Sequence, residues 1–508
     1  MRPHDCDGSV ESGHDRPSIW VLDRVNSPPL LALLAVLDVG LFFIALWRPW
    51  LGLGALLILL PFNGILLDVG AQLLQLDGFG QVLLASWHDA LALGVIAAAA
   101  AAVVRRRRIG RSVLEVSGAA VLGFGLLAAA FAPDYLAAAY AYRTLYEPVA
   151  LMLAVVILAA PDALPDRYVE RVAAGVVGAA VVAAAFAWWQ VYAGGYYFLN
   201  VYYRTASGDL PAAYSATFVN QPRAIGTFHS PNEFGAFLVM SLLLVLVPGV
   251  LRLGHARPWI CVFLGLALLL TFSRSAWVGT MIGVAVLVGL RWRPSSPVDW
   301  IRANYRRALV DVGPPAATFV LVAALIVGAS GGGEFLGATV SGTEPSATTH
   351  VGAVKDVLAD LINGPGEPTD GPPSSGGSSG GSSTGERITL TPLGSGLGTA
   401  GPKSTRFTGG EPVRHSEIWF LNYVGQVGLI GLALTALFVV AILGTLLPAR
   451  ERGWPSLAIG SLLALGAGAV FIPVVDEPAV AGTLWSILGI AIVDARATRS
   501  KLLGSEEP

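Results

Sequence analysis

Long apolar stretches separated by polar connections make up most of the chain. The stretches are continuous runs of Leu, Ala and Val rather than ten-residue segments of alternating polarity, so they predict membrane-spanning helices and not a β-barrel. There are thirteen of them: 30–47, 50–67, 88–104, 113–132, 147–160, 172–191, 233–251, 258–272, 275–290, 315–330, 418–447, 454–472 and 479–494. The segment 147–160 is short, so tilt or local thinning of the bilayer must accommodate it.

The composition agrees with this pattern. Of the 508 residues 54% are hydrophobic and 13% are charged, and the mean hydropathy is +0.65, whereas soluble domains carry about 25% charged residues. The fold class predicted is therefore an all-α polytopic integral membrane protein with about 12–13 transmembrane helices. The net charge of −2 gives no sign of a nucleic-acid partner. The two cysteines, Cys6 and Cys261, offer no disulfide framework.

Five regions follow from the spacing of the apolar segments. Residues 1–29 form a polar tail without the apolar centre of a cleavable signal peptide. Residues 30–330 hold the first ten segments, and 331–417 form a large loop between the tenth and eleventh. Within that loop, 363–386 is rich in Gly, Ser and Pro and is predicted to be flexible. Residues 418–494 hold the last three segments, and 495–508 form a cytoplasmic tail.

Lysine and arginine set the predicted orientation, because basic residues concentrate in cytoplasmic loops. Placing the loops 105–111 and 291–307 inside puts 20 basic residues inside and nine outside, with three on the N-terminal tail. The large loop 331–417 and the Tyr-rich loop 192–232 then lie outside. Thirteen spans with an inside C-terminus put the N-terminal tail outside. The alternative is that one of the first two segments does not cross fully, since Asp38 near the centre of the first is costly in hydrocarbon.

Three arginines meet the membrane from the outside near span ends: Arg223, Arg274 and Arg414, which precedes His415. A guanidinium is always charged and presents a flat fork of donors to phosphate oxygens. Several of them at one interface suit a lipid-linked phosphate or diphosphate. Each also has a simpler interpretation, because an arginine at a span end can reach lipid head groups and a lone histidine can be a structural hydrogen-bonding residue.

Other polar residues on this face have similar alternatives. Glu233 and Asn232 follow Ser230 at the start of a span, where Glu233 suits the positive end of the helix dipole as well as a ligand. Arg143 falls in a short outer loop, and Asp476 lies in an outer turn, where a solvated acid is as plausible as a partner of His415 or an arginine. The sequence "GSGLGT" at 394–399 lacks the Gly-Lys-Ser/Thr ending of a nucleotide-binding loop.

Three motifs occur in order on this face: "RAIGTFHSPNEFGAF" at 223–237, "LLLTFSRSAWVG" at 268–279, and "GSGLGT" at 394–399 followed by "HSEIWFLNYVGQVGLIGL" at 415–432. In this order they resemble the motifs of the O-antigen ligase/polymerase superfamily, over roughly residues 88 to 494. Two positions depart from the family pattern: Ser416 stands where Asn often follows the histidine, and Gln426 where Glu is frequent.

The resemblance implies a GT-C-like membrane glycosyltransferase that takes a glycan from a polyprenyl diphosphate carrier. Residues carried over by the motifs are Arg223 and Arg274, which would stabilise the leaving diphosphate, and His415, which would accept or orient the acceptor proton. Arg414, Asn232, Glu233, Asp476 and Arg143 are candidate substrate-binding residues. The resemblance implies the outer face of a bacterial cytoplasmic (inner) membrane as the location of the active site.

No cofactor or metal is expected. The scheme draws its energy from the diphosphate bond, and the chain's only Asp-x-Asp is Asp5-Cys6-Asp7 in the N-terminal tail. Expected partners are the lipid-linked donor, the bilayer and an acceptor that is a glycan, a lipid or a protein. Polymerisation or transfer to an exported polysaccharide is slightly preferred; lipid A ligation and protein O-glycosylation stay open. The competing hypotheses are a transporter or flippase for a lipid-linked or anionic substrate, and a scaffold protein.

Overall fold

A computed structural model describes the following residues of the chain: 27–76, 78–106, 112–159, 166–203, 214, 222–291, 313–329, 391–400, 418–470 and 475–504. These residues are helical almost throughout, and no strand occurs among them. The protein is therefore an all-α polytopic membrane protein. The predicted insert at 363–386, Arg414, His415 and Ser416 lie outside the described residues.

Fifteen helices organise the described part of the chain. In chain order they are α1 (Pro28–Trp47), α2 (Pro49–Leu59), α3 (Gly78–Ala85), α4 (Trp87–Arg106), α5 (Val113–Ala130), α6 (Tyr135–Ala159), α7 (Asp166–Trp189), α8 (Gly195–Tyr202), α9 (Pro231–Leu246), α10 (Ala256–Leu270), α11 (Arg274–Arg291), α12 (Gly313–Ala329), α13 (Trp419–Leu446), α14 (Gly453–Ala469) and α15 (Pro478–Gly504). After α2 the chain continues through short irregular helical turns over 60–73.

Each of the thirteen predicted apolar segments corresponds to one of the longer helices. Among the described residues, eight helices are long and apolar enough to cross a membrane, and five further apolar helices are shorter. Two boundaries differ clearly from the prediction. Helix α15 continues ten residues past 494, to Gly504. Helix α6 begins at Tyr135 and runs for 25 residues, so it is long enough to cross without thinning the bilayer. Arg143 consequently lies within a helix and not in the predicted loop. Helix formation extends back through the Ala-rich stretch 137–141, which is less apolar than a typical span but favours a helix.

The two ends of the helix bundle differ in chemistry. We call the end that holds Trp87, Arg274 and Pro478 the polar face, and the opposite end the basic face. The basic face holds arginines that the sequence predicts on the inner side of the membrane. Several of them form ion pairs with acidic residues there. Its ion pairs are Arg496–Glu115 at 2.6 Å, Arg452–Asp494 at 3.1 Å and Arg252–Glu170 at 3.7 Å.

Both of the first two segments run between these faces. Trp47 and Pro49, at the junction of α1 and α2, line one cavity with Arg105 at the basic end of α4. At the other end, Asp38 accepts a hydrogen bond of 2.5 Å from Ser86, the residue before α4. Asp38 lies near the middle of α1, so the first half of that helix extends past the start of α4 on the side of the polar face. The hydrogen bond from Ser86 offsets part of the cost of a carboxylate within an apolar helix.

Helix α9 occupies the centre of the bundle. Nearly all of its residues are buried, and α7, α10, α11, α14 and α15 pack around it. Because α9 begins at Pro231, the burial of its body fixes the preceding loop, which carries Arg223 and His229, at the polar face.

The glycine-rich sequence at 394–399 packs against a break in α13. Gly428 interrupts that helix with φ 68° and ψ −172°. The N–H groups freed after the break donate to the loop, Leu429 to the carbonyl of Thr391 and Ile430 to that of Pro392, each at 3.1 Å. The side chain of Gln426 accepts from the N–H of Gly398 at 2.8 Å. In the described part of the chain, this loop is therefore attached to α13 by hydrogen bonds on both sides of the break.

We expect Gly428→Ala to lower the free energy of unfolding by about 3 kcal/mol, since it combines a disfavoured backbone conformation with a steric clash. A Cβ at residue 428 would lie 2.3 Å from the amide nitrogen of Gly394. Gly444 is the matched control, because a Cβ there meets nothing within 4 Å. The check is the melting temperature of each purified variant in detergent. A Gly428→Ala protein that melts with the Gly444→Ala control would contradict the described contact.

Candidate functional site

The loop 222–230 is held from three sides at the polar face. The N–H of Ala224 donates to the carbonyl of Leu270 at 2.9 Å, and the Gln190 side chain at the end of α7 accepts from the N–H groups of Ile225 and Gly226. The hydroxyl of Thr227 donates to the carbonyl of Pro61 at 2.6 Å. These bonds satisfy the buried backbone of a loop that lies among apolar helices, where unpaired polar groups are costly.

The turns after α2 form the surface that receives this loop. Gly64 allows the approach, because a Cβ there would lie 2.4 Å from the carbonyl carbon of Phe228. The N–H of Ile65 donates to the carbonyl of Thr227 at 2.8 Å, and Trp87 donates its indole N–H to the Asn63 side chain. The sequence "PFNG" at 61–64 thus breaks the second span and supports the first motif.

Arg223 connects this loop to the hairpin between α10 and α11. Its Nε donates to the carbonyl of Thr271 at 2.8 Å, and its Nη2 donates to the Asn232 side chain at 2.9 Å and to the carbonyl of Phe272 at 3.4 Å. A guanidinium at a helix C-terminus stabilises the last carbonyls and the negative end of the dipole. The half-buried Arg223 therefore has a structural role, beside any contact with a ligand.

Arg274 begins α11 two residues after the carbonyl that Arg223 binds, so the hairpin brings the two arginines to one place. Arg274 is half-buried, and its neighbours Ser273 and Ser275 are buried with their hydroxyl oxygens 3.1 Å apart. Phe272 adopts φ 48°, a conformation rare for residues with a side chain, and such strain persists only where the surrounding structure enforces it. The N-terminus of a long helix beside two arginines is well suited to bind an anion.

Glu233 and Asn232, both predicted as substrate-binding residues, have local partners. The N–H of Glu233 donates to the Ser230 hydroxyl at 3.2 Å, and that hydroxyl lies 3.2 Å from the Glu233 carboxylate. Ser230 is thus the N-cap of α9, as the sequence suggested, and Glu233 belongs to its first turn. Asn232 accepts from Arg223. Both residues support the geometry of the site, and they do not need a ligand to explain their positions.

His229 forms a pair that the sequence did not predict. Its Nδ1 lies 2.8 Å from Oδ2 of Asp68, in the irregular turns after α2. Burial by itself lowers the pKa of His229, but the hydrogen bond and the charge of Asp68, with smaller contributions from Glu233 and Glu477, raise it to about 9. The hydroxyl of Tyr214 donates to the carbonyl of His229 at 2.8 Å and fixes the backbone beside the ring.

A second polar cluster lies on the same face around Arg143. Its Nε donates to Asp89 at 2.7 Å, and Nη2 lies 3.3 Å from Nε2 of His88. With Glu147 they line a small cavity of about 40 Å³ that is closed on other sides by α2 and by the start of α15 at Pro478. Asp89 lies in the first turn of α4, whereas Arg143 and Glu147 lie in the first half and the middle of α6, so the cluster extends from the end of α4 into the bundle.

Asp476 and Glu477 occupy the turn that leads into α15. Both are half-buried, and the charge of Glu477 is close enough to influence His229. Whether Asp476 orients His415, as the sequence suggested, stays a prediction, because Arg414 and His415 lie outside the described residues. Among the described residues, no group of three or more His, Cys, Asp or Glu side chains has an arrangement that could hold a metal ion.

No family model, curated protein or solved structure matches this chain. The resemblance to the O-antigen ligase/polymerase superfamily therefore depends on the three sequence motifs alone. Of the three residues that the motifs assign to catalysis, the structure describes Arg223 and Arg274. His415 lies outside the described residues.

The site residues that the sequence did not predict share one property, which is that their partners are far away along the chain. Asp68 pairs with a histidine 161 positions later, and Asp89 pairs with an arginine 54 positions later. A local signal existed for Asp68, since the Pro, Asn and Gly at 61–64 mark the end of a helix just before it. No comparable signal distinguishes Glu477 from an ordinary turn residue.

Proposed function

We propose that this protein is a GT-C-like membrane glycosyltransferase that transfers or polymerises glycan from a polyprenyl-diphosphate-linked donor. The observation that carries the proposal is the hairpin between α10 and α11, where Arg223 binds the carbonyls of Thr271 and Phe272 just before Arg274 begins α11. This is an anion site at the end of the bundle, next to a loop that presents a carboxylate-paired histidine. The order of the three motifs supports the same function.

The reaction assigns a role to each side of this site. The acceptor hydroxyl attacks the anomeric carbon while the bond from that carbon to the diphosphate oxygen breaks, and the electron pair leaves with the diphosphate. Arg274, the N–H groups of the first turn of α11 and Arg223 stabilise the negative charge that develops there. Preorganised donors of this kind are effective because they need no rearrangement during the reaction.

The acceptor side of the site is assigned from the motif resemblance. From this resemblance, His415 is predicted to accept the proton of the acceptor or to orient its hydroxyl, and Arg414 is a predicted second contact to the diphosphate. We propose that the polar face lies on the outer side, as the charge pattern predicts, and that the membrane is a bacterial cytoplasmic membrane, as the resemblance implies. A polysaccharide acceptor is our preference, and a protein hydroxyl is the alternative within the same reaction class.

The position of the Arg223 hairpin favours an enzyme over a transporter. Substrate and coupling-ion sites of secondary transporters lie near the midplane of the bilayer. Asp38 bonds to Ser86 just before α4, and Arg143 bonds to Asp89 within its first turn. Each of these contacts joins the start of α4 to the interior of a neighbouring helix, whereas the Arg223 hairpin lies where α10 ends and α11 begins, on the polar face. An anion site at that position suits an enzyme that works at a membrane surface.

A proteoliposome assay separates the two hypotheses. Vesicles contain the purified protein and a fluorescently labelled polyprenyl-diphosphate-linked glycan, and both the labelled species and its membrane side are followed. A transferase produces free polyprenyl diphosphate, whereas a transporter moves the intact donor between leaflets. Movement of intact donor without cleavage would contradict our proposal.

The membrane side of the polar face has its own test. In a Cys261→Ser variant the remaining cysteine is Cys6, which precedes α1. Because α1 starts at the polar face, we expect a membrane-impermeant maleimide to label Cys6 on intact spheroplasts. A control with a single cysteine at Thr498, near the basic face, should be labelled only after lysis. The reverse pattern would place the site in the cytoplasm and contradict the assignment of an externally presented donor.

A further inference from the structure

The charged groups of the polar face are divided into two sides. Arg223 and Arg274 lie at the hairpin between α10 and α11, and three carboxylates surround His229. These carboxylates belong to Asp68 after α2, Glu233 in the first turn of α9 and Glu477 before α15. A diphosphate is attracted to the first side and repelled by the second. The side around His229 suits a neutral hydroxyl compound, since carboxylates and imidazole accept hydrogen bonds from hydroxyl groups.

The geometry of the His229–Asp68 pair is that of an oriented base. Asp68 contacts Nδ1 at 2.8 Å, which fixes the ring and leaves Nε2 on the opposite edge. A carboxylate at Nδ1 favours the tautomer in which Nε2 is unprotonated, and it stabilises the imidazolium once Nε2 has taken a proton. The side chains of His229 and Asp68 are 34% and 27% exposed, so the pair is ordered by its surroundings and still accessible from the polar face.

The position of the loop brings this pair close to the anion site. His229 follows Arg223 by six residues in the loop 222–230, and both ends of that loop are anchored. Tyr214 ties them further, because its hydroxyl donates to the carbonyl of His229 and its carbonyl accepts from the N–H of Arg223. An acceptor bound at His229 would therefore lie beside a diphosphate bound at the hairpin.

We infer that His229, oriented by Asp68, accepts the proton of the acceptor hydroxyl during glycosyl transfer. This rests on the proposed function and adds to it a catalytic residue and an acceptor side, and it leaves to His415 the second of its two predicted roles, the orientation of the acceptor hydroxyl. The O–H bond of the acceptor breaks as its oxygen bonds to the anomeric carbon, and the proton moves to Nε2 of His229. The diphosphate leaves with the electron pair of the broken carbon–oxygen bond, and the imidazolium later releases its proton to solvent.

The electrostatic surroundings give this inference a pH signature. The titratable groups that face the His229–Asp68 pair are Tyr203, Tyr214, Glu233 and Glu477. Asp68 is the main cause of the raised pKa of His229, which reaches about 9. A base must be unprotonated to act, so the active fraction increases as the pH rises through that value.

The test is the pH dependence of polyprenyl diphosphate release between pH 6 and 10. The purified full-length protein is supplied with polyprenyl-diphosphate-linked glycans. These glycans are extracted from the cells in which the protein naturally occurs. We expect the wild-type rate to rise with a midpoint near pH 9. Asp68→Asn should move that midpoint down by about two pH units, toward the ordinary histidine value of about 6.5. His229→Gln should lower the rate by about 10²–10⁴-fold and abolish the rise.

Three outcomes would overturn the inference. The first is an Asp68→Asn midpoint equal to that of the wild type, and the second is a His229→Gln rate within threefold of the wild type. The third is a wild-type rate that falls above pH 9, which would mean that the protonated ring acts as a cation toward the diphosphate. The midpoint does not depend on how much of the protein is folded, so a partly unstable Asp68→Asn variant still decides the question.

The controls separate this inference from the proposed function. His255→Gln, a histidine substitution near the basic face, should keep the wild-type rate and midpoint. If the wild type releases no polyprenyl diphosphate at any pH, the proposed function has failed. If it does so and the histidine and aspartate variants behave as the control does, only the role of His229 has failed.

Discussion

Replacement of Arg274 by glutamine is expected to slow polyprenyl diphosphate release by about 10²–10³-fold, the usual effect of losing one preorganised donor to a developing negative charge. Arg274 lies in the first turn of α11, where on our proposal its guanidinium and the N-terminal N–H groups would contact the same anion. Glutamine keeps a hydrogen-bonding side chain of moderate length and removes the charge. The measurement is the rate at saturating donor, together with the donor concentration that gives half of that rate.

The matched control is Arg252→Gln, which removes a charge from the basic face. The Arg252 side chain is 91% exposed, so its substitution should change neither the rate nor the melting temperature. The stability change for Arg274→Gln should also be small, within about 1 kcal/mol, as for most surface substitutions. A variant at Arg274 with at least a third of the wild-type rate would remove this residue from the anion site.

Arg223→Ala should lose both stability and activity. The side chain donates to two carbonyls at the end of α10 and to Asn232, and these acceptors lose a charged partner. Bonds to charged groups contribute about 1.5–3 kcal/mol each and are not additive, so we expect a loss of about 2–4 kcal/mol in the free energy of unfolding. The hairpin that carries Arg274 would then move, so the rate should fall at least as much as in Arg274→Gln.

Arg223→Lys is the informative companion variant. Lysine keeps the positive charge but lacks the flat fork that contacts residues 271 and 232 together. We expect it to recover part of the stability and little of the activity. The check is the melting temperature and the release rate of both variants, measured on the same preparations. A stable and inactive Arg223→Ala protein would show that the side chain acts on substrate and does not support the hairpin.

Much of the fold could be predicted because each span has its signal within its own sequence. A long run of Leu, Ala and Val specifies a helix with no information from elsewhere, and all thirteen predicted segments correspond to helices. The start of α6 at Tyr135 was missed because its first twelve residues carry Tyr140, Tyr142 and Arg143. Their polarity reads as a loop, but packing against α4, with the Arg143–Asp89 pair, supports a helix there.

The candidate site was predictable only in part for a related reason. The Arg223 and Arg274 motifs are local patterns. Arg274 begins α11, and Arg223 lies in the loop that precedes α9, so both lie near the ends of spans, as the sequence predicts. Their hydrogen-bond partners, and the pairing of His229 with Asp68, depend on how distant segments pack. Nothing local marks His229, because its carboxylate partner is 161 positions away. The packing of the glycines at 394–398 against the break in α13 likewise depends on contacts between distant segments.

The measurement that most directly tests the central claim is the chemical fate of the donor in detergent, where no membrane separates two compartments. Purified wild-type protein is incubated with polyprenyl-diphosphate-linked glycans and an acceptor polysaccharide, and mass spectrometry follows the lipid. Our account predicts that free polyprenyl diphosphate accumulates together with an elongated acceptor, and that Arg274→Gln slows both by about 10²–10³-fold. A donor that stays intact with a folded wild-type protein would contradict the claim that this chain is a glycosyltransferase.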